Sequence, residues 1–199
     1  ARGHLDLRNQ NLGPAEVKEV AAFLATSAGA ALNSVTVDST GDTKDRRGDW
    51  RNGGPKTYTL TAGEEHLELS SKNLGSADVT LVAAWLTTSA GGAIARLVLN
   101  GNTITNYGKD LSGLTALCDV LPALKNPISL ELANCNLKVA EVNELARAMA
   151  AGGAIARLVL NGNMITNKGK DLSGLTALCD VLPTLKNPIS LELADCNLK

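Results

Sequence analysis

Apolar residues recur along this chain in short alternating runs, each closed by a turn residue and often followed by a stretch with helical spacing. Ile94-x-x-Leu97-x-Leu99-x-x-Asn102-x-Ile104 is one such run, and Pro127-x-x-Leu130-x-Leu132-x-x-Cys135-x-Leu137 is another. Alternate residues of a strand point to opposite faces, so the leucines of each run share one buried face. The Asn or Cys that follows turns the chain and offers a polar atom to backbone groups the turn leaves unpaired. The first strand residue of each run falls at Leu5, Val35, Leu67, Leu97, Leu130, Leu158 and Leu191, which predicts seven parallel strands. Between them, Pro14–Ala28, Ser76–Ala90 and Val139–Ala151 read as equivalent helices. Val79, Val82, Ala83 and Leu86 keep the spacing of one helical face. Ser76 reads as the N-cap, with Asp78 in the first turn. Leu114–Leu124 and Leu175–Leu185 are alternate helices, which Pro122 and Pro183 shorten near their ends.

The pattern contains a near-exact duplication. Residues 91–138 and 152–199 differ only at Thr103/Met164, Tyr107/Lys168, Ala123/Thr184 and Asn134/Asp195, at an offset of 61 residues. Self-similarity at a fixed period is the mark of a repeat array. Its near identity points to a recent duplication or an engineered array.

The motif LxxLxLxx(N/C)xL in these runs resembles that of leucine-rich repeat proteins, and the alternation of Asn-type and Cys-type turns resembles their ribonuclease-inhibitor-like class. The resemblance implies an α/β solenoid, a horseshoe of about seven coils with parallel strands on the concave side and helices on the convex side. It extends over residues 1–199 as a single array, expected to be a slice of a longer one. Three places depart from the pattern. Gln10 and Lys72 stand at the turn position, where burial of a lysine is costly, so those turns are expected to open to solvent. The Val35 coil shows no helix after its strand. In its place lies an insertion, loop 41–65, rich in Gly and charge. It ends in the alternating stretch Lys56-Thr57-Tyr58-Thr59-Leu60-Thr61, expected as an extended piece on the convex side.

Composition narrows the function. Aromatic residues make up only 3% of the chain, so the core must be aliphatic. A formal net charge of −1 leaves no basic surplus to neutralise phosphates, which argues against nucleic acid. No apolar run reaches the ~18 residues that suggest a membrane span, and the N-terminal residues lack a signal-peptide pattern. Cys118, Cys135, Cys179 and Cys196 form two pairs of repeat equivalents. Equivalents two coils apart lie about 10 Å from each other, beyond the ~7 Å Cα limit of a disulfide. All four are therefore expected reduced and mostly buried, which favours an intracellular setting, or an organelle if a transit peptide has been removed.

Candidate chemistry is sparse. His4 and His66 lie two coils apart, too far to share a metal, and no nucleophile–base pair recurs in the duplicated units. Asp42, Asp45 and Asp49 do not follow a calcium-loop spacing. Arg47-Gly48-Asp49 spells an adhesive tripeptide of extracellular proteins, a setting the reduced cysteines disfavour. No catalytic residue, metal site or cofactor is expected. The insertion offers Arg46, Arg47, Asp49, Trp50 and Arg51 as an interface, with Trp50 as its aromatic anchor. Phe23 and Trp85 are repeat equivalents expected to pack between helices. On the concave side, Arg96, Glu131, Arg157 and Glu192 form an alternating charge row. These residues suggest a non-enzymatic protein–protein interaction module or scaffold, with no sign of a homo-oligomer. The alternative is an accessory subunit of a larger assembly, docked through loop 41–65 or the ends of the array.

Overall fold

The computed structural model describes residues 3–198; residues 1, 2 and 199 of the expected array lie outside the described residues. Strand β1 (Gly3–Asp6) leads through a turn to helix α1 (Pro14–Leu24), the short α2 (Ser27–Ala30) and strand β2 (Leu32–Asp38). After a long loop, β3 (Thr57–Thr61) and β4 (His66–Glu68) follow in quick succession. Helix α3 (Ser76–Leu86), β5 (Arg96–Val98), α4 (Ser112–Val120) and β6 (Ile128–Glu131) come next, then α5 (Val139–Ala150), β7 (Ile155–Val159), α6 (Ser173–Val181) and β8 (Ser190–Glu192).

These elements correct the expected solenoid. The strands form two sheets, not one row of seven coils: a three-stranded mixed sheet in the order β1-β2-β3 and a five-stranded parallel sheet in the order β4-β5-β6-β7-β8. The break has a local cause. Tyr58 and Leu60 point inward from the 57–61 stretch, and β3 pairs antiparallel with β2, Val37 opposite Tyr58 and Val35 opposite Leu60. It thereby occupies the edge of β2 that a parallel neighbour would need. A parallel return requires a crossover, usually helical, and the 39–56 segment contains no helix. The extended piece expected on the convex side is thus a strand of the first sheet. The protein is an α/β fold with two sheets, not a horseshoe or a leucine-rich-repeat solenoid of seven coils.

Within the second sheet the leucines stand side by side. Leu67, Leu97, Leu130, Leu158 and Leu191 are paired in register across β4 to β8. One continuous apolar cluster joins both sheets to the helices, from Val17 and Leu24 through Leu97 and Leu130 to Leu160 and Cys196. Full burial of each leucine is worth about 2 kcal/mol. Helix α3 packs against α1 and α4, α5 against α4 and α6. Asn102 bridges adjacent turns: its Oδ1 accepts from the Lys72 and Leu74 amides, and its Nδ2 donates to the Leu69 and Leu99 carbonyls. Asn163 does the same 61 residues later, with the Cys135 and Leu137 amides as donors. The turns after β1, β4, β6 and β8 each hold two left-handed residues: Asn9 and Asn11, Ser71 and Asn73, Asn134 and Asn136, Asp195 and Asn197. Asn and Asp tolerate that conformation better than most residues.

Three local expectations need correction. The N-cap of α3 is Gly75, not Ser76; Asp78, at the third helical position, accepts the Gly75 amide at 2.8 Å. Phe23 is 40% exposed, while its equivalent Trp85 is fully buried. Trp85 sits on a helix flanked on both sides, whereas α1 has only α3 beside it and the short α2 after it. Cys179 is exposed, unlike Cys118 in the identical sequence of the first unit. Helix α4 has neighbours on two sides, and α6 packs on α5 alone. The same difference leaves Leu172 51% exposed.

Candidate functional site

The loop between β2 and β3 is built around one carboxylate. Asp42 is buried, and its two oxygens accept the amides of Thr43, Asn52 and Gly54 and the Asn52 side-chain Nδ2, at 2.8–3.2 Å. Burial alone would raise its pKa, but the hydrogen bonds from Gly54, Asn52 and Thr43 outweigh it and hold the carboxyl below its ordinary value. Around this anchor the chain folds into a small hairpin. Lys44 bridges to Trp50, Arg51 N donates to the Thr43 carbonyl at 3.0 Å, and Asp45 N donates to Asp49 O at 2.8 Å. Asp45 Oδ1 accepts the Arg47 and Asp49 amides and closes the tip.

The hairpin is fastened to the body. Asn73 Nδ2 donates to the Asn52 and Gly54 carbonyls at 2.8 and 2.7 Å, and Gly41 N donates to Asn73 O at 2.8 Å. Lys56 Nζ donates to Ser71 O at 2.7 Å. Just below, Asp78 accepts Thr40 N, Thr40 Oγ1 and the Tyr58 hydroxyl, tying the root of the loop to α3. Burial pushes the Asp78 carboxyl above its usual range, and burial beside Asp78 pushes Tyr58 well above its own.

Trp50 is 42% exposed but not loose. Lys44 Nζ stands 4.9 Å from its ring centre, a cation–π distance. Gly54 lies against the ring, where a Cβ would come within 3.0 Å of the indole, and its φ of +88° is one that favours glycine. Trp50 also walls a groove of about 650 Å³ whose other lining includes Asn9, Leu12, Pro14 and Pro55. Arg46, Arg47 and Arg51 are all exposed, and none has an acidic partner among the described residues. Asp49 is exposed at the tip.

The charge row on the five-stranded sheet differs. Glu131 lies between Arg96 Nε at 2.7 Å and Arg157 Nη1 at 2.8 Å, and Arg157 Nη2 reaches Glu192 at 2.7 Å. Glu131 is only 6% exposed. Its hydrogen bond from Arg96, then that from Arg157, overcomes burial and lowers its pKa. The four residues are thus brought together, but as one another's partners. His4 reaches Ser34 Oγ at 2.7 Å. Asp42, Asp45 and Asp49 do not converge, and among the described residues no three His, Cys, Asp or Glu side chains come together as a metal-ligand set. Among the same residues no helix is long and apolar enough to cross a membrane.

The loop arginines and Trp50 stand out in the sequence; the organising role of Asp42 and the place of Lys44 over the ring do not. The Asp42–Gly54 separation and the paired glycines at 53 and 54 are the signals that carry this hairpin. No protein-family model matches the chain, and no curated protein matches it.

Proposed function

We propose that this chain is a non-enzymatic protein–protein interaction module or scaffold, and that its main contact surface is the 41–56 loop. The observation that carries the reading is Trp50: a large aromatic side chain, exposed yet clamped between a glycine and a lysine on an internally bonded hairpin. Exposed Trp and Arg side chains are the commonest anchors of protein interfaces. A loop ordered before binding loses little conformational entropy on docking. The sheet-face charges support a secondary role at most, because each is already paired with an opposite charge of the same row.

The test is retention of a protein partner from an extract of the source cells. The full chain is compared with a variant in which residues 43–54 are replaced by a short Gly-Ser linker, both verified as folded by thermal melting. Loss of the partner with the replacement supports the reading. Equal retention by both proteins moves the interface elsewhere on the molecule.

A further inference from the structure

The described arginines divide into two sets. Among the described residues, Arg8, Arg96, Arg147 and Arg157 each form an ion pair with a carboxylate, whereas Arg46, Arg47 and Arg51 form none. All three unpaired guanidiniums lie within one hairpin. We propose that this hairpin recognises an acidic, extended protein segment, whose carboxylates are taken by Arg46, Arg47 and Arg51 and one of whose apolar side chains packs on Trp50. The proposal rests on the reading of the loop as the interface and names the chemistry of what it binds.

Charge gives the first support. Over the 41–56 loop the sequence places five cations, Lys44, Arg46, Arg47, Arg51 and Lys56, against three carboxylates, Asp42, Asp45 and Asp49, of which Asp42 is buried. The chain as a whole carries −1, so the rest of the molecule is net acidic and the hairpin is its positive pole. Such an asymmetry steers an acidic partner to the hairpin. The competing interactions are already assigned. Lys44 covers Trp50, Lys56 is held by Ser71 O, and Asp45 Oδ1 is occupied by two amides of the tip. What remains open is three guanidiniums against the one exposed carboxylate of Asp49, and each guanidinium is able to take a carboxylate with two parallel hydrogen bonds.

Rigidity gives the second. The Asp42 anchor and the Asn73 bonds fix the hairpin from below, so the guanidiniums project from a frame that is set in advance. Trp50 supplies apolar area in the same hairpin, at one wall of a groove lined by Leu12 and Pro14 but also by the Asp38 carboxylate, so it is the apolar side chain of the segment and not a carboxylate that packs there. A long nucleic acid would bring its phosphates against the net-acidic body, and this favours a short acidic peptide over a polynucleotide.

The experiment titrates the full chain with a synthetic peptide of Glu and Asp carrying a single Leu. Binding is read by calorimetry and by tryptophan emission. Trp85 is fully buried, so a change on binding reports Trp50. The comparison protein is the triple variant Arg46→Gln, Arg47→Gln, Arg51→Gln, checked for an unchanged melting temperature. A Lys-containing peptide of the same length and an oligothymidylate of matched charge complete the set. The expected result is binding of the acidic peptide alone, weakened by salt and weakened about tenfold or more in the triple variant. Equal affinity for wild type and variant overturns the proposal, as does no binding of the acidic peptide. Tighter binding of the oligothymidylate also overturns it and reassigns the surface to nucleic acid. The two readings fail separately. A partner captured by wild type and triple variant alike, but lost on replacement of 43–54, removes the acidic recognition and leaves the loop interface standing. Capture that ignores the loop altogether removes both.

Discussion

The arginines on the five-stranded sheet and those on the 41–56 loop are the same side chain used in two ways. Arg96 and Arg157 share Glu131 between them, and the row they form neutralises itself. Arg46, Arg47 and Arg51 are exposed on a frame whose carboxylates Asp42 and Asp45 hold backbone amides, Asp42 buried at its base. In the sheet, neighbouring strands bring opposite charges within reach, since the register sets Val98, Glu131 and Val159 side by side with the arginines diagonal to the glutamate. In the loop no adjacent strand supplies a counter-charge. A charged surface built on paired strands tends to satisfy itself, whereas a charged hairpin that stands clear of them leaves its charges for another molecule.

Removing the organiser of the loop should have the largest effect on stability. Asp42→Ala deprives three amides and the Asn52 side chain of their acceptor. The expected loss is about 2–3 kcal/mol of loop stability. Hydrogen exchange at the Thr43, Asn52 and Gly54 amides should accelerate by about a hundredfold, while the amides of β5 to β7 stay protected. Unchanged exchange at Gly54 would mean that the carboxylate does not hold the hairpin.

In the sheet row, Glu131→Gln keeps the shape and removes the charge. Its arginine partners are partly exposed, so urea unfolding should show a loss of about 1 kcal/mol. The peptide titration should be unaffected. A change in peptide affinity would tie the two surfaces together and blur the contrast between them.

The pH dependence offers a smaller effect with a sign that differs between residues. Asp42 and Glu131 are held below their ordinary pKa values, so their stabilising contribution is present above the usual carboxylate range and is lost as pH falls through their lowered values. Asp78 is raised, so its contribution is fully present below that range and is lost as pH rises through its raised value. Between about pH 3 and pH 7, stability should therefore climb more steeply in Asp78→Asn than in wild type above about pH 4, and less steeply in Glu131→Gln below about pH 5. Urea unfolding across that range measures both slopes, and identical slopes in all three proteins would remove the assignment. The smallest effect is expected from Arg47→Gln alone. Its guanidinium touches no acidic partner among the described residues, so the melting temperature should stay at the wild-type value by calorimetry.

Much of this contrast is legible in the sequence, and what is not has physical reasons. The period-two spacing marks an inward residue in seven strands, from Leu5 through Val35 to Leu191, because burying one face of a strand dictates alternation. That spacing does not encode direction. Lys56–Thr61 alternates equally well as a parallel or an antiparallel strand, and only the missing crossover helix told against a parallel return. The expectation of one continuous solenoid failed there. The duplicated units show a second limit. Identical residues at Cys118 and Cys179 have different exposure because burial belongs to the neighbours, not to the segment. The loop arginines and Trp50 stand out by composition, but their freedom from ion pairs depends on contacts at a distance. Asp42, the residue that sets the loop, looked like one more charge in a charged run.

One measurement separates the two surfaces directly: partner retention from cell extract by three folded proteins side by side, wild type, the Arg46→Gln/Arg47→Gln/Arg51→Gln variant and an Arg96→Gln variant. If the three loop arginines carry recognition, the partner is kept by wild type and Arg96→Gln and lost by the loop variant. Loss in Arg96→Gln with retention by the loop variant would contradict the account and move recognition to the sheet face.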